Sequence, residues 1–210
     1  MNRLRARVLT ASLTGLLGTT FLATGLLVAP AVQAEDSAIE AFKTKHEAVV
    51  DLVKARASDD KLQAKVDELL DYQWLATAAL GGPENHDAVC GSRCGEFQDL
   101  LTKLIRENYL RMIRKAEKHP VEYVGQVAGR NGIYKVTTRI KVEKNGREQT
   151  VTVEYVMHKA DGNWQVRDII TDDVSLARTY SYEFNKIAKA EGIDGIIAKL
   201  QDKLAKLDAD

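Results

Sequence analysis

The amino-acid sequence predicts an α+β fold: a four-stranded antiparallel sheet covered on one face by helices and enclosing an apolar pocket. Three observations carry the class. Apolar residues recur at helical spacing through the first half of the chain, alternate with polar ones from about residue 121 to 170, and return to helical spacing at the end. Turn dipeptides, Asn145-Gly146 and Asp161-Gly162, punctuate the alternating stretch. The order helices, meander, helices defines α+β rather than an alternating α/β fold.

The chain opens with Arg3, Arg5 and Arg7 and no acid, then runs apolar from Val8 to Val28, followed by Pro30 and Val32-Gln33-Ala34. A positive start, an apolar stretch and small residues before a cut make a secretory signal peptide. Residues 1–34 therefore read as a signal peptide cleaved before Glu35, and residues 35–210 as a single domain exported to the periplasm. The alternative is an uncleaved membrane anchor. No cysteine follows the apolar run to carry a lipid anchor, and no later run approaches the ~20 apolar residues of a membrane span. The whole chain has 30 basic and 30 acidic residues. Removing three arginines with residues 1–34 leaves 27 against 30 over 176 residues, enough for one domain with a core. No basic stripe is present, which argues against nucleic-acid binding.

Residues 37–57 form an amphipathic pattern with Ile39, Phe42, His46, Val49, Val50 and Val53 on one side. A second helix is predicted from the Ser58-Asp59-Asp60 cap signal to Leu80, stopped by Gly81-Gly82-Pro83. A polar, glycine-rich loop runs through Cys90 to Gly95. The third helix carries Phe97, Leu100, Leu101, Leu104, Ile105, Tyr109 and Ile113 and ends near His119-Pro120.

Val121–Val127 is the first strand. Tyr134, Val136, Thr138, Ile140 and Val142 share one face of the second, with Lys135, Thr137, Arg139 and Lys141 on the other. Val151, Val153, Tyr155 and Met157 continue the apolar face, and Trp164, Val166 and Ile170 begin the last strand. That face needs a cover, and the helices supply it. Two final helices, about 174–190 and 193–207, meet at Gly192, with Asp172-Asp173-Val174-Ser175 leading into the first.

The search for chemistry finds little. His46, His86, His119 and His158 lie in four separate segments without metal-ligand spacing, and no Gly-x-Ser-x-Gly elbow exists. Residues 125–132 are glycine-rich but lack the lysine and helix of a phosphate loop, so they read as turn glycines. Cys90 and Cys94 read as a local disulfide in an oxidising compartment. A redox pair is an alternative, although the spacing differs from Cys-x-x-Cys, and a zinc site lacks ligands beyond His86. Asp168 falls in phase with Trp164 and Val166 and so points nominally inward, where a lone carboxylate is costly. It is either a catalytic acid or, on the favoured reading, a bonded acid or bulge residue capping the turn that follows. Tyr155 and Trp164, with Tyr134 adjoining, form either plain core or a cavity wall.

The segments Asn163-Trp164-Gln165-Val166-Arg167-Asp168-Ile169-Ile170, Val174-Ser175-Leu176, Tyr180-Ser181-Tyr182-Glu183-Phe184 and Gly192-Ile193-Asp194-Gly195-Ile196 together resemble the MlaC/toluene-tolerance family. Asp71-Tyr72, Leu80-Gly81, Glu96-Phe97 through Leu101, and Tyr109 look like that family's helical half, so the similarity runs from about Ile39 to Leu204. Three features depart from the pattern: Asp172-Asp173 stands where Glu-Gly is usual, Gly82-Pro83 where a Trp is common, and the Cys90–Cys94 loop has no counterpart.

The resemblance implies a periplasmic carrier, not an enzyme, that needs no cofactor or metal and buries both acyl chains of a phospholipid between sheet and helices. The inward-facing residues expected to touch lipid are Leu75, Leu101, Ile105, Tyr109, Tyr134, Val136, Ile140, Val153, Tyr155, Trp164 and Val166. The implied partners are an inner-membrane MCE-domain protein with its ABC transporter and an outer-membrane lipoprotein–porin complex, served by a monomer in maintaining outer-membrane lipid asymmetry. Alternatives are a carrier of another lipid such as a hopanoid, a small α+β-roll enzyme using Asp168, and an adaptor without ligand.

Overall fold

A computed structural model describes residues 37–144 and 146–209; the segment read as a signal peptide lies outside the described residues. Helix α1 spans Ala38–Lys54, its start capped by the Ser37 hydroxyl accepting from the Glu40 amide at 3.2 Å. It buries Phe42, His46, Val49 and Val53 and ends where Arg56 takes a left-handed φ of 52°.

The helix expected from residue 59 to Leu80 is two helices. Helix α2, Asp59–Leu69, and helix α3, Tyr72–Ala79, are separated by an extended Leu70 that bridges Val166 in parallel, with the Asp71 amide donating to the Val166 carbonyl at 2.9 Å. The Asp71 carboxylate then caps α3 by accepting from the Trp74 amide at 3.0 Å. Apolar periodicity runs unbroken through Leu69 and Leu70, so it hides a break that a tertiary backbone bond imposes.

The stretch after Gly82 is also more helical than expected. Pro83 opens α4, Pro83–Cys90, because its missing N–H costs nothing at a first helical position. A 3-10 turn, Gly91–Arg93, leads into α5, Cys94–Ala116, which buries Phe97, Leu101, Leu104, Ile105, Tyr109, Leu110 and Ile113.

The sheet is an antiparallel meander of five strands in chain order: β1 Val121–Ala128, β2 Ile133–Lys144, β3 Arg147–Ala160, β4 Asn163–Thr171 and β5 Val174–Ser175. The four-strand expectation missed β5. Asp172 and Asp173 do not lead into a helix; with φ of 47° and 64° they form the two-residue turn between Thr171 and Val174. Aspartate tolerates this left-handed region better than most residues, so the pair serves where glycines are usual. Asp161 and Gly162 make the β3–β4 turn in the same way, with φ of 49° and 82°. Asn145 lies outside the described residues; Lys144 and Arg147 pair on either side of it. Of the glycines in 125–132, Gly129 and Gly132 lie between β1 and β2, whereas Gly125 sits in β1 beside a register shift.

A register shift between Val156 and Met157 changes the phase of β4. Met157 pairs with Val166 but Val156 pairs with Asp168, so Arg167 is the extra residue. Ile169, opposite Tyr155, takes the inward place that alternation assigned to Ile170, which lies opposite Glu154.

The apolar face is closed by α1, with the Phe42 ring 4.1 Å from that of Tyr155. Lys45 Nζ donates to the carbonyls of Glu68 and Trp164 at 2.8 Å each, tying α1 to the end of α2 and to β4. On the far face Lys135 pairs with Glu154 at 2.8 Å. The final helix, α6, spans Leu176–Ala209 and breaks at Gly192 (φ 66°, ψ −160°), as the two-helix reading expects. Three residues on, a Cβ at Gly195 would fall on the Glu191 side chain and lie 3.0 Å from Ile187 Cγ2. Glycine is required at one position by conformation and at the other by space.

Candidate functional site

Two adjoining cavities lie against the inner face of the sheet, one beneath α5 and α6 and the other beneath α5. The first, about 330 Å³, is walled by Ile105, Asn108, Tyr109 and Met112 of α5, Ile169 and Thr171 of β4, Val174 of β5, and Leu176, Thr179 and Tyr180 of α6. The second, about 400 Å³, is walled by Asn108, Arg111, Met112, Lys115 and Ala116 of α5, Ile140 and Val142 of β2, Val151 and Val153 of β3, and Thr171. Asn108, Met112 and Thr171 line both, so the two are neighbours that share these side chains as a wall. Each lies within the ~300–1,000 Å³ of small-molecule sites. Among the described residues none that lines the first cavity is charged, whereas Arg111 and Lys115 of α5 line the second.

Of the eleven residues expected to touch lipid, Ile105, Tyr109, Ile140 and Val153 line these cavities. Leu75, Leu101, Val136, Tyr155, Trp164 and Val166 lie within the closed packing of the core, with Tyr134 packed against it. Tyr155 and Trp164 are not partners. Tyr155 meets Phe42, while Trp164 meets Tyr134 edge-to-face at 5.5 Å, because Trp164 pairs with Lys159, four residues along β3 from Tyr155. The first cavity is also lined by Asn108, Met112, Thr171, Val174, Leu176, Thr179 and Tyr180, which were not among the eleven. Val174, Leu176 and Tyr180 carried a signal, as parts of quoted motifs; the others sit at helix flanks and a strand end, where periodicity is silent.

Tyr109 is buried beside the first cavity and its hydroxyl has no hydrogen-bond partner among the described residues. Burial pushes its phenol well above the usual range, so it remains a donor. His46 is also buried, with Nδ1 2.8 Å from the Tyr123 hydroxyl and its ring stacked on Phe42. Burial lowers its pKa to about 4, so the imidazole is neutral at pH 7.

The buried Asp168 has three partners. Its carboxylate accepts from the Ser175 hydroxyl at 2.6 Å and from the amides of Ile169 and Ala177 at 2.9 Å. Ser175 Oγ in turn accepts from the Arg178 amide at 3.1 Å. The acid therefore caps the start of α6, in the structural part the sequence favoured.

Cys90 and Cys94 are joined in a disulfide with Cα atoms 4.7 Å apart. His86 Nδ1 lies 3.7 Å from the Cys90 sulfur and 2.7 Å from Asp87 Oδ1.

The chain matches the MlaC protein family over residues 34–202. It belongs to the MlaC family. A solved structure of similar fold, a phospholipid-binding protein from Ralstonia solanacearum in complex with a phospholipid, superposes with a TM-score of 0.63 at 22% identity, covering 82% of this chain and 99% of that one. No curated protein matches in sequence.

The MlaC-like residues are chiefly joints of the fold rather than cavity walls. Asp71 caps α3 and accepts from Arg167 Nε at 3.1 Å; Asp168 and Ser175 start α6; Gly192 and Gly195 set its break. Among the described residues no helix is long and apolar enough to cross a membrane.

Proposed function

We propose that this chain is an exported periplasmic carrier that holds the acyl chains of a phospholipid in the two neighbouring cavities between the helices and the sheet. The observation that carries the reading is the polarity of the pair. One cavity is walled by neutral, mainly apolar residues, and Arg111 and Lys115 of α5 stand at the adjoining one, Arg111 also donating to the Leu207 carbonyl at 2.7 Å. This arrangement suits an amphiphile with apolar tails and an anionic head. Membership of the MlaC family and a fold shared with a phospholipid-binding protein support it. Val174, 61% exposed at the wall of the first cavity, offers an apolar lip by which a chain enters.

Burying each methylene is worth ~0.8 kcal/mol, so a dozen give on the order of 10 kcal/mol. Release into water is then very slow, and transfer needs docking to a protein with its own apolar site. In this reading the donors and acceptors are an outer-membrane lipoprotein–porin complex and an inner-membrane MCE-domain protein with an ABC transporter. The carrier works as a monomer, and the system maintains outer-membrane lipid asymmetry. The engagement of both Asp168 oxygens in capping α6 favours a carrier over an enzyme using that acid.

Native mass spectrometry of protein purified from periplasm without detergent tests the proposal. The expected species starts at Glu35 and retains phospholipid. A hopanoid in its place would keep the carrier and replace the ligand. Lipid-free protein that also takes up nothing from phospholipid vesicles would overturn the reading.

A further inference from the structure

The four side chains around the disulfide form a compact donor set that lipid carriage does not use. The ligand atoms of His86, Asp87, Cys90 and Cys94 all lie within 4.8 Å of one another. The Cys90 sulfur is 3.7 Å from His86 Nδ1, within the about 3.3–3.8 Å that separates sulfur and nitrogen ligands on a tetrahedral zinc. Asp87 sits 2.7 Å from the same imidazole nitrogen on a side chain that is 90% exposed, free to swing onto a metal. We propose that this cluster has two alternative states: a disulfide when oxidised, and a binding site for a thiophilic divalent cation of the zinc class when reduced.

The bridge closes a ring of only five residues, so it constrains little of the unfolded chain. Its two ends are unequal. Cys90 is buried, while Cys94 is half-buried at the start of α5. A thiolate from a dithiol reductant attacks the more accessible Cys94 sulfur; the S–S bond breaks and Cys90 departs as a thiolate beside His86. The second thiol of the reductant resolves the mixed disulfide. The reductant leaves as a disulfide, two electrons having reduced the cysteine pair to two thiols. Binding the cation then releases two protons as both sulfurs become thiolate ligands, joined by the His86 imidazole and the Asp87 carboxylate. Two thiolates, an imidazole and a carboxylate suit zinc in preference to the harder calcium or magnesium. In the reverse step a disulfide oxidant takes two electrons from the two thiolates and leaves as a dithiol, the Cys90–Cys94 bond re-forms and the cation is released, so occupancy reports the thiol–disulfide poise of the compartment. The inference is independent of the lipid reading.

The test uses the whole protein, oxidised and phosphine-reduced, titrated with Zn²⁺ against a chromophoric chelator. The reduced protein should bind one equivalent and the oxidised protein none at the same chelator strength. Bound zinc should slow alkylation of both thiols and raise the melting temperature of the reduced form. His86→Ala and Asp87→Asn should each weaken binding at least roughly tenfold; the exposed Asp87 makes its variant safe for the fold. Reduced protein that binds no tighter than oxidised, equal melting with and without zinc, or His86→Ala binding like wild type would each overturn the proposal.

Discussion

The Ser175 hydroxyl donates to Oδ2 of Asp168 at 2.6 Å, and this buried bond fixes the last helix to the last long strand. Because the same carboxylate also accepts from the Ala177 amide, its removal strands a buried hydroxyl and a helix N-terminal amide together. Asp168→Ala should therefore cost about 2–3 kcal/mol in urea denaturation. Asp168→Asn keeps one acceptor and should cost about 1–2 kcal/mol while lipid retention persists. A reaction on any lipid that Asp168→Asn abolished would instead make the acid catalytic.

His46 makes stability depend on pH. Its folded pKa of about 4 lies below the ordinary 6.5, so between these values the unfolded chain binds the proton and the folded chain does not. The stabilisation is full above pH 6.5 and is lost as pH falls toward 4, on the order of 3 kcal/mol across the window. Comparing wild type with His46→Leu at pH 7.5 and 4.5 isolates the effect from carboxylate titration. The wild type should lose about 2–3 kcal/mol more than the variant; equal losses would mean that the imidazole is not neutral in the fold.

Val153 and Val136 separate cavity from core. Both face inward, but Val153 lines the second cavity whereas Val136 is fully buried opposite Tyr155. Val153→Trp has space to fill, so delipidated protein should melt within a few degrees of wild type while bound lipid falls sharply. Val136→Trp has none and should cost ~1–3 kcal/mol or more through strain. Early melting of both variants with unchanged lipid occupancy would mean that the cavities hold no ligand.

Replacing Cys90 and Cys94 with serine should leave lipid retention intact and lower stability by about 2 kcal/mol, the entropy of a five-residue ring. Alkylation before and after reduction should find both thiols protected and then free. Complete loss of lipid binding in the double variant would show that the bridge shapes the cavity rather than pinning a turn.

The sequence by itself determined the longer helical stretches and the four long strands, their order, and which side of each is apolar, but not the short helix α4. Period and turn chemistry are local properties, legible at Phe42, Tyr155, Asp161-Gly162 and Gly192. It also determined that Asp168, if structural, must cap something nearby, since a lone buried acid is too costly to leave unpaired. Only the tertiary structure decided where the helix of residues 59–80 breaks, because the Leu70–Val166 bridge is a contact between distant segments. It alone placed Ile169 rather than Ile170 inward, through one inserted residue in β4. The location of empty space was likewise tertiary. Val136 and Val153 belong to one apolar pattern, yet one is closed over and the other stands beside a cavity. Hydrophobic periodicity reports that a face leaves water; it does not report whether another side chain arrives to fill the place.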